Sequence, residues 1–262
     1  MKPPLGIVTG ASTGIGLELG HVAAEAGYDL IIAANEPLIH DAAQDMRRHG
    51  RCVEALEIDL AAMEGVDTLL AACANRQVEL LLANAGTGIG GAFVEQDPAL
   101  WRRCIDTNVT GTVYLLQRVL AGMIKRGRGH ILVTGSIVGY IPGPYSAVYN
   151  ATKAFIDNFT EALRSELETS GVILTTLMPG PTDTEFFARA NMLDTKIGAD
   201  QDKADPAAVA RDGWNALMAG RGHIVSGLAN RLQAMGSGLL PQAVLAKMYR
   251  DEALPGSAAQ DS

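Results

Sequence analysis

The chain has 262 residues, with 21 Lys+Arg against 29 Asp+Glu for a formal net charge of −8, 48% hydrophobic residues and 5% aromatic residues. The apolar fraction excludes a disordered chain, and the acidic balance argues against nucleic acid or an anionic membrane surface as partner. Cys52, Cys73 and Cys104 are odd in number and widely spaced with no C-x-x-C pair, so neither a disulfide framework nor a metal site is expected.

From the N-terminus, Met1-Lys2-Pro3-Pro4 runs straight into an apolar stretch, and no run approaches the roughly 18 apolar residues of a membrane span. A cytoplasmic protein is expected. Aliphatic runs then alternate with stretches of helical spacing, the pattern of βαβ units and of a doubly wound parallel sheet with helices on both faces. In chain order we expect strands at 5–9, 29–33, 53–58, 79–83, 130–134, 172–178 and 223–226. Helices are expected between them at 15–26, 38–49, 65–75, 98–126, 149–170 and 207–219, with Pro98 and Pro206 at helix starts, where the missing N–H costs nothing. No repeat or linker divides the chain, so a single domain over 1–254 is the simplest organisation. Residues 184–205 break the rhythm and mix Phe186, Phe187, Met192 and Ile197 with polar residues, as a lid over a strand-end site would. A further helix at 239–250 is expected to close one side of the pocket, and 255–262 to form a flexible tail.

The glycines gain meaning from position. Thr9-Gly10-Ala11-Ser12-Thr13-Gly14-Ile15-Gly16 follows the first strand and opens the first helix. Glycines there let the backbone turn sharply and approach a pyrophosphate, while free N–H groups and the helix dipole favour the anion. Asp59-Leu60 follows the third strand, and Asn84-Ala85-Gly86 the fourth. Taken singly, Asp59 reads as a helix N-cap and Asn84 as an amide closing a turn. Their joint order at successive strand ends points to a ligand site, because ligands of open α/β sheets collect at the carboxyl ends of strands. Further on, Ser136 ends the fifth apolar run, and Tyr149 and Lys153 stand at i and i+4, neighbours on one helical face.

On these motifs the sequence resembles the short-chain dehydrogenase/reductase family over roughly residues 5–226. The resemblance implies a Rossmann-like fold, an oxidoreductase and a nicotinamide dinucleotide, NAD(H) or NADP(H). It implies cofactor contacts from Gly10, Ser12, Thr13, Gly14, Ile15, Gly16, Asn35, Asp59, Leu60, Asn84, Ala85 and Gly86. It also implies contacts from Tyr149, Lys153, Pro179, Gly180 and Thr184 of Pro179-Gly180-Pro181-Thr182-Asp183-Thr184, with Thr182 the rival for the carboxamide. Ala34 and Asn35 stand where an acidic residue or an arginine would settle the ribose 2′ group. Glu36 beside them would repel a phosphate, so the balance tips to NAD(H).

The catalytic residues implied are Ser136, Tyr149, Lys153 and Asn108. A phenol with pKa near 10 is expected to be drawn toward phenolate by the lysine ammonium and the positive nicotinamide ring. Tyr149 then serves as general base for alcohol oxidation or general acid for carbonyl reduction, with Ser136 holding the reacting oxygen. Lys153 tunes Tyr149 and binds the nicotinamide ribose. Asn108 is the family asparagine whose helix distortion holds a water in a proton relay to the lysine. The expected pocket wall is Ile137, Val138, Tyr140, Ile141, Pro144, Tyr145, Phe186 and Phe187, which suits a hydrophobic or neutral alcohol or ketone. The helices at 98–126 and 149–170 resemble the pair through which family members form homodimers and homotetramers. Rival functions are a non-catalytic dinucleotide sensor on the same fold, or an epimerase or dehydratase working through a transient ketone.

Overall fold

The computed structural model describes residues 2–237 and 240–260. Seven strands, β1 (Leu5–Thr9), β2 (Asp29–Ala34), β3 (Val53–Glu57), β4 (Val78–Ala83), β5 (Gly129–Thr134), β6 (Val172–Met178) and β7 (His223–Val225), form one sheet in the order β3-β2-β1-β4-β5-β6-β7. Every pairing is parallel.

Alternation along the strands divides the core. Leu30, Ile32, Leu80, Leu82 and Leu132 point to one face, and pack with Leu19 and Ala23 of α1 (Gly14–Glu25), Ile39 and Met46 of α2 (Leu38–Met46) and Val209 and Leu217 of α9 (Pro206–Met218). Ile31, Ala33, Leu81, Ala83 and Ile131 point to the other. They meet Val66 and Leu69 of α3 (Met63–Ala72), Leu116 and Met123 of α5 (Thr112–Arg126) and Ile156 of α6 (Ala147–Glu166). Because helices cover both faces, β1 and β2 are buried along their whole length, which is why they read as unbroken apolar runs. Each buried aliphatic side chain contributes about 1.5–3 kcal/mol.

The strand order reverses at β1 and β4, so the crossovers leave in opposite directions and a crevice opens at the carboxyl ends of those strands. The expected helix at 98–126 is instead three pieces. Asp97 caps α4 (Pro98–Ile105) by accepting from the Ala99 N–H at 2.8 Å, a π segment spans Asp106–Gly111, and α5 continues to Arg126. The wide turn is held by the buried amide of Asn108.

The lid segment carries two short helices, α7 (Phe186–Arg189) and α8 (Lys196–Ala199). Its ends are pinned together, with the Asp183 N–H donating to Ala204 O at 2.9 Å and the Ala204 N–H to Pro181 O at 3.0 Å. After β7 come α10 (Leu228–Ser237), which sequence reasoning did not anticipate, and α11 (Gln242–Ala253), which supplies the expected closing helix; the start of that expectation at Leu239 lies outside the described residues. The expected free tail is docked at Ser257: its Oγ accepts from the Lys196 N–H at 2.9 Å, and the Ala258 N–H donates to Asp194 O at 3.0 Å. Residues 261–262 lie outside the described residues. Among the described residues, no helix is long and apolar enough to cross a membrane.

Candidate active site

A cavity of about 580 Å³ runs along the carboxyl ends of the strands, from the turns after β2 and β3, past the glycine turn, to the ends of β5 and β6. Gly10, Ser12, Thr13, Gly14, Ile15, Asn35, Asp59, Leu60, Asn84, Ala85, Gly86, Pro179, Gly180, Thr182 and Thr184 all lie on its wall.

The glycine turn is built by close approach. Gly10 and Gly14 take φ of 63° and 57°, the left-handed region that L side chains rarely adopt. A Cβ on Gly10 would sit 2.8 Å from the Ala85 Cα, and one on Gly14 would sit 2.7 Å from Thr184 Cγ2. Gly16, expected among the cofactor contacts, is not on the wall. A Cβ there would collide with Gly10 O and the Asn84 amide, so its hydrogen lets α1 close onto the β1 turn. Thr13 precedes α1 in an extended conformation and makes no side-chain cap, so the first-turn N–H groups at Gly14, Ile15 and Gly16 have no intrahelical acceptor. That cradle, open to an elongated cavity, fits a dinucleotide pyrophosphate.

Asn84 ties the crevice together. Its Nδ2 donates to Gly10 O at 3.3 Å, its Oδ1 accepts from Thr134 Oγ1 at 3.0 Å, and its own N–H donates to Thr9 Oγ1 at 3.0 Å. Asp59 closes its turn by accepting from the Ala61 N–H at 3.0 Å, and its second oxygen accepts from Arg103 at 2.8 Å. Arg103 and Arg189 are cavity residues that sequence reasoning did not find. Both are paired, Arg103 with Asp59 and Arg189 with Glu36 at 3.0 Å. Glu36 also accepts a hydrogen bond from Ser12 Oγ.

Toward the far end, Ser136, Tyr149 and Lys153 share the wall. The Ser136 hydroxyl accepts from the Val138 N–H and donates to Pro179 O, both at 3.3 Å, which fixes it at the mouth of β5. Lys153 is buried and spends one of its three N–H bonds on Thr134 O at 2.8 Å. Its Nζ lies 5.9 Å from the centre of the Tyr149 ring. Burial pushes the Tyr149 phenol up, and the Ser136 hydroxyl only partly opposes it, so the expected pull toward phenolate is not realised by the lysine alone. Burial likewise pushes Lys153 down, against the pull of Asp157. Asp157, one turn beyond Lys153, is pushed up to about 7 by burial, while the Lys153 ammonium and the Ser136 N–H pull the other way.

Asn108 stands behind the wall rather than on it. Its Oδ1 accepts from the Thr87 N–H at 2.8 Å, and its Nδ2 donates to Thr87 O and to Thr152 Oγ1, each at 2.9 Å. The helix distortion implied for it is present as the π segment. Of the expected substrate contacts, Val138, Phe186 and Phe187 line the cavity, whereas Ile137, Tyr140 and Tyr145 do not. The turn Ile137–Tyr140 is a 3-10 helix, whose three-residue period sets Ile137 and Tyr140 in line and leaves Val138 to face the cavity. Ile137 is buried, and the Tyr140 hydroxyl reaches Met178 Sδ at 3.2 Å. Tyr145, at φ 62°, packs into the small core joining lid and C-terminus, where Ile141 is also buried. Pro144 is also off the wall. Met192 and Ile197, expected in the lid, complete the apolar end together with Tyr249, which was not singled out. Leu245, Tyr249 and Ala253 recur every fourth residue on α11, a helical stripe that marked Tyr249 as inward-facing.

Comparison with known proteins agrees with this geometry. The sequence model of the family described as short chain dehydrogenase matches residues 6–193. A protein named sulfoacetaldehyde reductase 2 from Chromohalobacter salexigens is 33% identical over 204 residues, covering 76% of this chain and 78% of its own. Among solved structures, a short-chain dehydrogenase from Sphingobium yanoikuyae in complex with NADPH aligns with a TM-score of 0.81 at 27% identity, covering 90% of this chain and 93% of that one. One from Burkholderia phymatum in complex with NAD shares the fold at 22% identity and a TM-score of 0.81, covering 88% and 92%. Sequence motifs, sheet order and crevice therefore agree with these comparisons: the chain belongs to the short-chain dehydrogenase family and is an NAD(P)-dependent oxidoreductase.

Proposed function

We propose that the protein interconverts a hydrophobic or neutral secondary alcohol and its ketone, with NAD(H) as hydride partner and Tyr149 as general acid and base. The observation that carries this reading is the convergence of Ser136, Tyr149 and Lys153 on the cavity end walled by Val138, Phe186, Phe187 and Met192, while the glycine turn opens on the same cavity. Bound nicotinamide supplies or accepts the hydride at its C4.

The chain's own residues handle the oxygen and its proton. Ser136 Oγ is held at the end of β5, placed to hydrogen-bond the carbonyl or alkoxide oxygen as charge develops. Tyr149, which burial holds in its protonated form, stands on the same wall to give its proton to that oxygen during reduction. Oxidation needs the phenolate, which the Lys153 ammonium 5.9 Å from the Tyr149 ring centre favours and a bound oxidised ring would favour further. Lys153 has two N–H bonds beyond the one to Thr134, which suit ribose hydroxyls. The relay role of Asn108 acts through the widened turn, since its amide is spent on Thr87 and Thr152.

A neutral substrate is supported by the state of the arginines. The relative at 33% identity bears the name of a reductase for a small sulfonate, yet here both cavity arginines are engaged by carboxylates. Assembly as a homo-oligomer through α4, α5 and α6 is part of the same reading, supported by exposed Leu100, Ile124 and Phe155 on those helices. A monomer by light scattering at micromolar concentration would contradict it. The catalytic reading is tested by a panel of ketones and secondary alcohols with NAD(H) and NADP(H), using wild type and Tyr149→Phe. Reduction of bulky neutral ketones by the wild type alone supports it; turnover confined to small anionic hydroxy acids overturns it.

A further inference from the structure

Arg189 ends the lid helix α7, whose first residues Phe186 and Phe187 wall the substrate end of the cavity. The Phe186 ring lies 4.9 Å from that of Tyr149, centre to centre. From the other end of the same helix, Arg189 reaches the turn after β2 and pairs with Glu36 at 3.0 Å. Glu36 in turn accepts from the Ser12 hydroxyl in the glycine turn. Ser12, Asn35, Glu36 and Arg189 all line the cavity, at the strand end where open dinucleotide folds place the adenosine ribose.

We infer that Arg189 is the specificity-determining residue for the ribose 2′ group, and that Glu36 decides which group it accepts by holding the guanidinium. The inference rests on the proposed dinucleotide function. The two positions that usually distinguish the cofactors by an acid or a base hold Ala34 and Asn35, so neither supplies charge there. The charge comes instead from one carboxylate and one guanidinium on opposite walls. Paired, they present no net charge to an uncharged 2′ hydroxyl, and the lid stays pinned to the glycine turn. A 2′ phosphate faces the Glu36 carboxylate and must also take Arg189 from it, so one like-charge repulsion and one broken ion pair oppose the one attraction gained. Without Glu36, the same guanidinium is a ready bidentate phosphate ligand. Arg103, the other cavity arginine, is already committed to Asp59.

The test is direct binding of NADH and NADPH, read by nicotinamide fluorescence, to wild type, Glu36→Gln, Arg189→Met and the double variant. Wild type is expected to bind NADH more tightly than NADPH. Glu36→Gln should tighten NADPH by roughly tenfold, with NADH changed far less, and adding Arg189→Met should abolish that gain. Retained NADH binding and an unchanged thermal unfolding profile establish that each variant is folded. A gain that persists without Arg189, the absence of any gain, or a wild type that already prefers NADPH overturns the inference. A wild type that binds neither dinucleotide overturns instead the functional reading on which it rests.

Discussion

The two halves of the cavity are made differently. The half around the glycine turn is carved into the ends of β1, β2 and β4, where backbone meets backbone: a Cβ on Gly10 would lie 2.8 Å from Ala85 Cα, and one on Gly16 would strike Gly10 O. The half around Tyr149 is closed by side chains carried on the lid and on α11, which pack as a small core of their own with Ile141, Phe187, Met192, Leu245 and Tyr249. Backbone contact tolerates no substitution, whereas side-chain contact can be graded. The glycine turn is therefore expected to respond to change all or none, and the side-chain walls by degrees.

The sharpest contrast is chemical. Tyr149→Phe removes one oxygen from the substrate half, and steady-state ketone reduction should fall by about 10²–10⁴-fold with NADH affinity retained. In the cofactor half, Gly16→Ala places a methyl against Gly10 O and the Asn84 amide. It should cost on the order of 3 kcal/mol by denaturant unfolding, with dinucleotide binding lost as the turn is displaced. A stable Gly16→Ala protein that binds NADH would break the comparison. Phe186→Ala empties lid volume beside Tyr149 and should raise KM for a bulky ketone by about tenfold while sparing NADH affinity.

The remaining expected effect is on pH. Asp157, pushed up to about 7 by burial, holds its proton in the folded state over a range where the unfolded chain, with a carboxyl near 3.8, has lost it. Its contribution to stability is full below about pH 4 and is lost as pH rises toward 7. Asp157→Asn should remove that descent, so the difference in thermal midpoint between variant and wild type should shift in the variant's favour from pH 4 to pH 8. A difference constant with pH would mean that Asp157 is charged throughout.

The same division explains what the sequence made legible. The strands, the glycine turn and Ser136, Tyr149 and Lys153 are set by local spacing and by buried apolar runs, and strand ends differ from expectation by at most one residue. The break in the helix expected at 98–126 was implied by the resemblance at Asn108 but not by spacing, because the π turn depends on Asn108 bonding Thr87 and Thr152, residues remote in sequence. The substrate wall was read in part: the tight turn after Ser136 sends Ile137 and Tyr140 away from the cavity, a consequence of its 3-10 period and not of polarity. Arg189 left no local signal, since its partner Glu36 lies beyond four intervening strands. Residues whose roles come from tertiary contact were invisible to spacing, although the stripe Leu245, Tyr249 and Ala253 carried a signal for Tyr249.

The central claim is that Tyr149 passes the proton while the glycine turn holds the dinucleotide. Single-turnover oxidation of NADH by a bulky neutral ketone, followed in wild type and Tyr149→Phe with the NADH Kd measured on the same preparations, tests it most directly. The account predicts equal NADH affinity within about twofold and a hydride-transfer rate lower by about 10²-fold or more in the variant. Equal rates in the two proteins would contradict it.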